Sequence, residues 1–242
     1  MREYRSADGE QRLWYDPGEI DQLVEDELRR ANLMPTVTKA ATNLEAFVES
    51  YLHCPLDQYR PLPAEVLGVT EFVRGKPPTI SLNQDLTGAA LDDEDAAPGQ
   101  VGRWRATLAH EACHVLLHRT LFEFDENQGE MFPETDEGQQ RLQRCLKRDV
   151  GHARWNSDWR EVQANQGMAA LLMPRKLFGR VVRAAANDLG IGLTGLQEGS
   201  RDAVALSGIL AWRFDVSRQA ALIRLKTTEV IADGSTPVLG PL

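Results

Sequence analysis

A short run at residues 110–114, His-Glu-Ala-Cys-His, has the residue types and the spacing of a catalytic metal site. Residues four apart in an α-helix share one face, so His110 and His114 can direct two imidazoles at a single ion. Glu111 lies beside that face, where a carboxylate can take a proton from metal-activated water. With 5 histidines in 242 residues, random placement gives roughly 0.01 copies of this pattern. We therefore predict a zinc site, with two histidines packed in a core helix as the weaker alternative.

Peptide hydrolysis is the reaction that these residues suit. A zinc ion lowers the pKa of a bound water to about 7 and polarises the carbonyl of the bond to be cut. Glu111 would receive the water proton and pass it to the leaving amine. A structural metal has no chemical need for a carboxylate directly after its first ligand, so Glu111 favours an enzyme over a structural metal site.

A catalytic zinc site usually has a third protein ligand and keeps its fourth position for water. Glu161 is the best candidate, because it lies near the start of a predicted helix over 157–172. The opposing interpretation is a solvated acid that the helix dipole favours at a helix start. Spacing alone does not separate the two interpretations. Asp158 and His152 are weaker alternatives for the third ligand.

Two other residues of the motif helix are expected to support the site without binding the ion. His118 follows His114 by one turn, but three imidazoles in a row on one straight helix cannot converge on one ion. We expect His118 to pack or to contact a ligand. Cys113 is expected to be a small buried packing residue, because inert buried cysteines are commoner than reactive ones.

The elements that must position these residues follow from the spacing of apolar side chains. Val66–Val73 and Thr79–Asn83 are predicted strands, and the Gly-Lys-Pro-Pro turn between them suggests a hairpin. The polar stretch 125–155 is predicted to be a long insert with one helix near 137–148. The other predicted helices cover residues 18–33, 38–53, about 101–122, 157–172, 176–190, 200–213 and 217–226. Helices, one small sheet and then more helices indicate an α+β fold.

Composition excludes several classes of protein. No apolar run approaches the roughly 18 residues that a membrane span needs, and the charged N-terminus lacks the apolar stretch of a secretion signal. Three cysteines without a CxxC pair argue against a disulfide framework and for a reducing, cytoplasmic compartment. A net charge of −9 makes direct nucleic-acid binding unexpected. The acidic run at residues 91–95 is expected to be a solvated loop.

Two stretches together resemble the ImmA/IrrE family of bacterial metallopeptidases. They are ATLAHEACHVLLHR around the motif and DWREVQANQGMAALLMP around Glu161. The hairpin ending in TISLNQDL and the later LAWRFDVSRQAALIRL also fit that family, and the resemblance covers about residues 65–226. It implies a mainly helical, gluzincin-type zincin core with a small sheet and a C-terminal helix-turn-helix-like segment.

The resemblance also implies the roles of the site residues. His110, His114 and Glu161 would bind one zinc ion per chain, and Glu111 would be the catalytic glutamate. One departure from the family is visible, because the residue before the second histidine is commonly Gly there and is Cys113 here. The side chain stays small, so we expect an intact metal site.

The function that the resemblance implies is control of transcription through a protein substrate. Family members cleave helix-turn-helix repressors, or act as antirepressors beside one, in phage, mobile-element and stress-response circuits. We therefore expect a zinc endopeptidase that cleaves such a repressor. The alternatives are a metal-bound antirepressor that sequesters its repressor without cutting it, and a DNA-binding regulator with a structural metal.

The C-terminal segment has two interpretations. We divide the chain into residues 1–175, with the N-terminal helices and the peptidase core, and residues 176–242, a helical segment packed on that core. Ser217 could cap a DNA-reading helix that carries Arg218, Arg224 and Lys226. The many apolar residues of the segment instead indicate a packed scaffold, which the acidic chain also favours.

Overall fold

The computed structural model describes residues 2–5, 11–15, 18–73, 75–123, 140–146 and 159–231. Over these residues the chain has an α+β fold, as predicted. The helices are α1 (Glu19–Arg30), α2 (Leu44–Ala46), α3 (Gln84–Thr87), α4 (Pro98–Glu123), α5 (Trp159–Leu172), α6 (Arg175–Leu189), α7 (Arg201–Phe214) and α8 (Arg218–Thr227). The strands are β1 (Arg2–Arg5), β2 (Gln11–Trp14), β3 (Leu56–Arg60), β4 (Val66–Val73), β5 (Thr79–Asn83) and β6 (Gln140–Leu146). π-Helical turns extend α2 over Phe47–Tyr51 and α3 over Gly88–Asp92.

The main sheet is mixed and has the strand order β3-β5-β4-β6. β4 and β5 pair antiparallel, with Val69 opposite Ser81, which confirms the predicted hairpin. β3 pairs in parallel with β5, and β6 pairs antiparallel with the other side of β4. β1 and β2 form a separate two-stranded antiparallel sheet. In the main sheet, β4 therefore lies between β5 and β6 and is hydrogen-bonded on both sides. This strand also contacts the motif helix α4.

Two element predictions were wrong. The helix expected near 137–148 is absent, because Gln140–Leu146 forms strand β6. Its apolar residues have helical spacing, but pairing with β4, distant in sequence, overrides that local pattern. The rest of 125–155 lies outside the described residues. The helix expected over 38–53 is shorter and begins only after Asn43, whose side chain accepts a hydrogen bond from the backbone of Ala46.

The motif helix α4 runs through the centre of the core. Leu108, Ala109 and Ala112 are fully buried along it, with side chains of the sheet and of the other long helices around them. Gly102 allows the turn between α7 and α8 to approach closely, because a Cβ at residue 102 would lie 3.0 Å from the backbone nitrogen of Ser217. One continuous buried cluster therefore joins the motif helix to the C-terminal helices.

Contacts of the C-terminal segment favour the scaffold interpretation. The Arg224 side chain is buried and donates from Nε to the carbonyl of Met173 at 3.1 Å and from Nη2 to Asp21 of α1. Lys226 pairs with Glu198 at 2.5 Å. Two of the three cations that a DNA-reading helix would use are thus engaged within the protein.

Other features agree with the sequence-based expectations. Ser217 caps α8 by accepting a hydrogen bond from the backbone of Ala220 at 3.1 Å. Residues 91–95 are solvent-exposed, as expected for the acidic run. Among the described helices, none combines the length and the apolar character that crossing a membrane requires.

Candidate metal centre

Helices α4 and α5 bring three potential metal ligands together. His110 Nε2 lies 3.0 Å from His114 Nε2 and 3.1 Å from Glu161 Oε2. His114 Nε2 lies 3.3 Å from Glu161 Oε1. These residues form a group that could hold a metal ion.

The donor atoms fit a tetrahedral site. Bonds of about 2.0–2.1 Å to a tetrahedral ion separate neighbouring ligand atoms by about 3.3 Å. The two Nε2 atoms are 3.0 Å apart, and each lies 3.1–3.3 Å from one of the two Glu161 carboxylate oxygens, which is close to that value. Both histidines are completely buried, whereas the Glu161 side chain is 14% exposed. Two imidazole nitrogens and one carboxylate are also a donor set that transition metals accept.

One small residue, Gly167, allows the two ligand-bearing helices α4 and α5 to pack closely together. A Cβ at Gly167 of α5 would lie only 2.8 Å from Cys113 Sγ on α4. Cys113 is fully buried, and burial raises the pKa of its thiol. It lies against α5 and outside the three-ligand group, as expected for a packing residue. Glycine on the opposite helix therefore leaves room for the Cys113 side chain.

Electrostatics couple the histidines to the carboxylate. Burial lowers the pKa of His110, but the hydrogen bond to Glu161 and the charge of Glu111 outweigh burial, so the pKa is raised. Burial raises the pKa of Glu161, yet the neighbouring imidazoles of His110 and His114 outweigh burial and hold that pKa well below its usual range. Glu161 is thus an anion that attracts positive charge to the site.

Glu111 is held against the sheet by residues of β4. Its side chain is completely buried, and Oε2 accepts a hydrogen bond of 2.5 Å from the Thr70 hydroxyl of β4. Gly68, on the same strand, makes room for it, because a Cβ there would lie 2.9 Å from Glu111 Oε1. Glu111 does not belong to the three-ligand group. It is a fixed carboxylate next to a ligand, which is where a proton acceptor is needed.

His118 also lies outside the three-ligand group, as expected, and contacts a ligand instead. Its Nδ1 lies 3.2 Å from Nδ1 of His114, and its Nε2 lies 3.1 Å from Oε1 of Gln163. Sequence reasoning did not single out Gln163 or Thr70. The sequence signals for them were weak, because Thr70 is one polar residue in an apolar strand and Gln163 is one amide on the buried side of α5.

The structure thus places Glu161 beside His110 and His114, and Asp158 and His152 lie outside the described residues. Neither a family model nor a curated protein matches the chain. The ImmA/IrrE resemblance therefore rests on the motifs quoted above. Function has to be inferred from the chemistry of this site.

Proposed function

We propose that the protein is a zinc-dependent endopeptidase with a zincin-like core of the ImmA/IrrE type. His110, His114 and Glu161 would hold one zinc ion per chain, and Glu111 would be the catalytic base. One observation carries the proposal. Two imidazole nitrogens on α4 and the two carboxylate oxygens of Glu161 on α5 converge at separations of 3.0–3.3 Å, while the adjacent carboxylate of Glu111 is anchored outside the ligand group.

Zinc is favoured by the kind and number of the ligands. Two imidazoles and a carboxylate suit zinc, whereas magnesium and calcium prefer sites built from oxygen ligands. Three protein ligands are typical of catalytic zinc sites, and structural sites usually have four. When bound, the ion would supply Lewis-acid polarisation of a substrate carbonyl and would lower the pKa of water.

The residues around the ion have separate tasks in this proposal. Glu111 would accept a proton from water and donate it to the leaving amine. The hydroxyl of Thr70 holds the Glu111 carboxylate in one orientation, so no side-chain freedom is lost during the reaction. The negative charge of Glu161 would keep the metal in place as substrate enters.

A buried carboxylate next to the ligands favours catalysis over sequestration. Burying a carboxylate is costly, and a protein that only binds its partner would gain nothing from Glu111. The engagement of Arg224 with Asp21 and of Lys226 with Glu198 likewise disfavours a DNA-binding regulator. No comparable observation supports either alternative.

The substrate class comes from the family resemblance. We propose that the substrate is a helix-turn-helix repressor, which places the reaction in the cytoplasm, where such a repressor binds DNA. The test is to incubate the zinc-loaded protein with the repressor encoded beside its gene and to analyse the products by gel and mass spectrometry. Discrete fragments that a chelator suppresses are expected. If the repressor is released from its operator without being cut, that result would instead establish sequestration and overturn the cleavage proposal.

A further inference from the structure

A chain of hydrogen bonds leads from the metal site to the N-terminal sheet. Gln163 Nε2 donates to the backbone carbonyl of Leu13 in β2 at 2.7 Å, and its Oε1 lies 3.1 Å from His118 Nε2. The other ring nitrogen of His118, Nδ1, lies 3.2 Å from Nδ1 of His114. The two histidines are completely buried, and Gln163 is nearly so.

The direction of the first hydrogen bonds is fixed by chemistry. A backbone carbonyl can only accept, so the Gln163 atom that faces Leu13 must be the amide nitrogen. The amide oxygen must then face His118. Because that oxygen can only accept, Nε2 of His118 must carry the hydrogen.

The same reasoning extends to His114, the proposed metal ligand. In a neutral imidazole one nitrogen donates and the other accepts, so Nδ1 of His118 is an acceptor. Nδ1 of His114 faces it and must donate. His114 then has its hydrogen on Nδ1 and a lone pair on Nε2, the atom that lies 3.3 Å from Glu161 Oε1.

We propose that His118 and Gln163 are positioning residues for the metal. They anchor His114 through the Leu13 carbonyl in the one tautomer whose Nε2 can bind an ion. The inference rests on the metal site of the proposed function and does not depend on peptide hydrolysis. Partners of this kind, which fix a ligand histidine from behind, are worth about 10- to 100-fold in metal affinity.

Two substitutions at His118 separate this role from simple packing. In His118→Asn the amide oxygen takes the place of Nδ1 and can accept from His114, whereas His118→Leu has a suitable size and no acceptor. We expect zinc affinity within about threefold of wild type for His118→Asn and about 10- to 100-fold weaker binding for His118→Leu. If His118 only packs, His118→Leu should bind zinc more tightly than His118→Asn, because a buried Leu is tolerated better than a smaller amide.

The second part of the experiment changes Gln163 and uses another glutamine of the same helix as a control. Gln163→Met keeps the shape but removes both hydrogen bonds, so zinc affinity should fall about tenfold. Gln166→Met alters an exposed glutamine one turn along α5 and should leave affinity unchanged. This arm decides the question if His118→Leu does not fold.

Affinity is measured by competition between each metal-free protein and a chromophoric zinc chelator, and circular dichroism monitors folding. Wild-type affinity in folded His118→Leu, or in Gln163→Met, overturns the positioning role and leaves the proposed function intact. A wild-type chain that takes up no zinc overturns the metal site and this inference together.

Discussion

Gly167 controls how closely the two ligand-bearing helices approach, so Gly167→Ala should disturb the metal site without touching a ligand. The new Cβ would lie 2.8 Å from Cys113 Sγ, 3.0 Å from Cys113 Cβ and 3.3 Å from Leu117 Cδ1. Carbon and sulfur atoms in ordinary contact are about 3.5–4.0 Å apart. α5 must therefore move away from α4 by roughly 0.5–1 Å. Glu161 moves with α5, and the two histidines stay with α4.

The size of the effect follows from two opposing contributions. Overpacking a tight core costs about 1–3 kcal/mol. Replacing glycine by alanine in a helix returns about 1 kcal/mol, so the net loss of unfolding free energy should be about 0–2 kcal/mol. Metal–ligand distances tolerate shifts of only about 0.2 Å, so zinc affinity should fall tenfold or more.

The assays are urea denaturation of the metal-free protein and zinc competition with a chelator. Gly179→Ala on α6 is the matched control, because the nearest atom to its new Cβ is Arg183 Nη1 at a normal 3.8 Å. It should be neutral or slightly stabilising and should not change zinc binding. Cys113→Gly in the Gly167→Ala background removes both close contacts and should restore affinity. The reasoning is refuted if Gly167→Ala and Gly179→Ala have the same stability and the same affinity.

Three further substitutions test the surroundings of the site. Cys113→Ala should retain one zinc per chain in metal analysis, because the thiol packs and does not bind the ion; loss of that equivalent would contradict its packing role. Thr70→Val removes the hydrogen bond to Glu111, so cleavage should fall roughly tenfold in rate assays while zinc content stays constant. An unchanged rate would show that Thr70 does not orient the base. Arg224→Leu removes the buried one of the two cations beside Asp21 and leaves only the more exposed Arg175 at 3.5 Å, so urea denaturation should report a loss of about 2 kcal/mol. A loss below about 1 kcal/mol would show that this ion pair does not tie the C-terminal helices to the core.

Local patterns were sufficient to predict the elements that carry the site. The motif helix, the helix of Glu161 and the three C-terminal helices all appear close to their predicted bounds. The starts of the three C-terminal helices are marked in the sequence by the residue just before each helix: Pro174 before α6, Ser200 before α7 and Ser217 before α8. Such caps act within one turn, so a single sequence reveals them.

Long-range pairing accounts for two strands of the main sheet that the sequence did not reveal. β3 was not predicted, because its apolar character is weak and its parallel partner β5 lies about twenty residues away in the chain. β6 has helical spacing and becomes a strand only because β4 offers an unpaired edge. The supporting contacts of Thr70 and Gln163 were missed for the same reason. A lone polar residue in an element has no local pattern, and its partner is known only once the elements are packed.

The measurement that tests the proposed function most directly is zinc content together with repressor cleavage in two variants. Glu111→Gln keeps the shape of the side chain and removes the base, so zinc should remain near one per chain while cleavage falls by roughly 100-fold or more. Glu161→Ala leaves only His110 and His114, so metal and cleavage should be lost together after dialysis against a chelator. Full zinc in Glu161→Ala would place the third ligand elsewhere. Cleavage at the wild-type rate by Glu111→Gln would contradict the peptidase proposal itself.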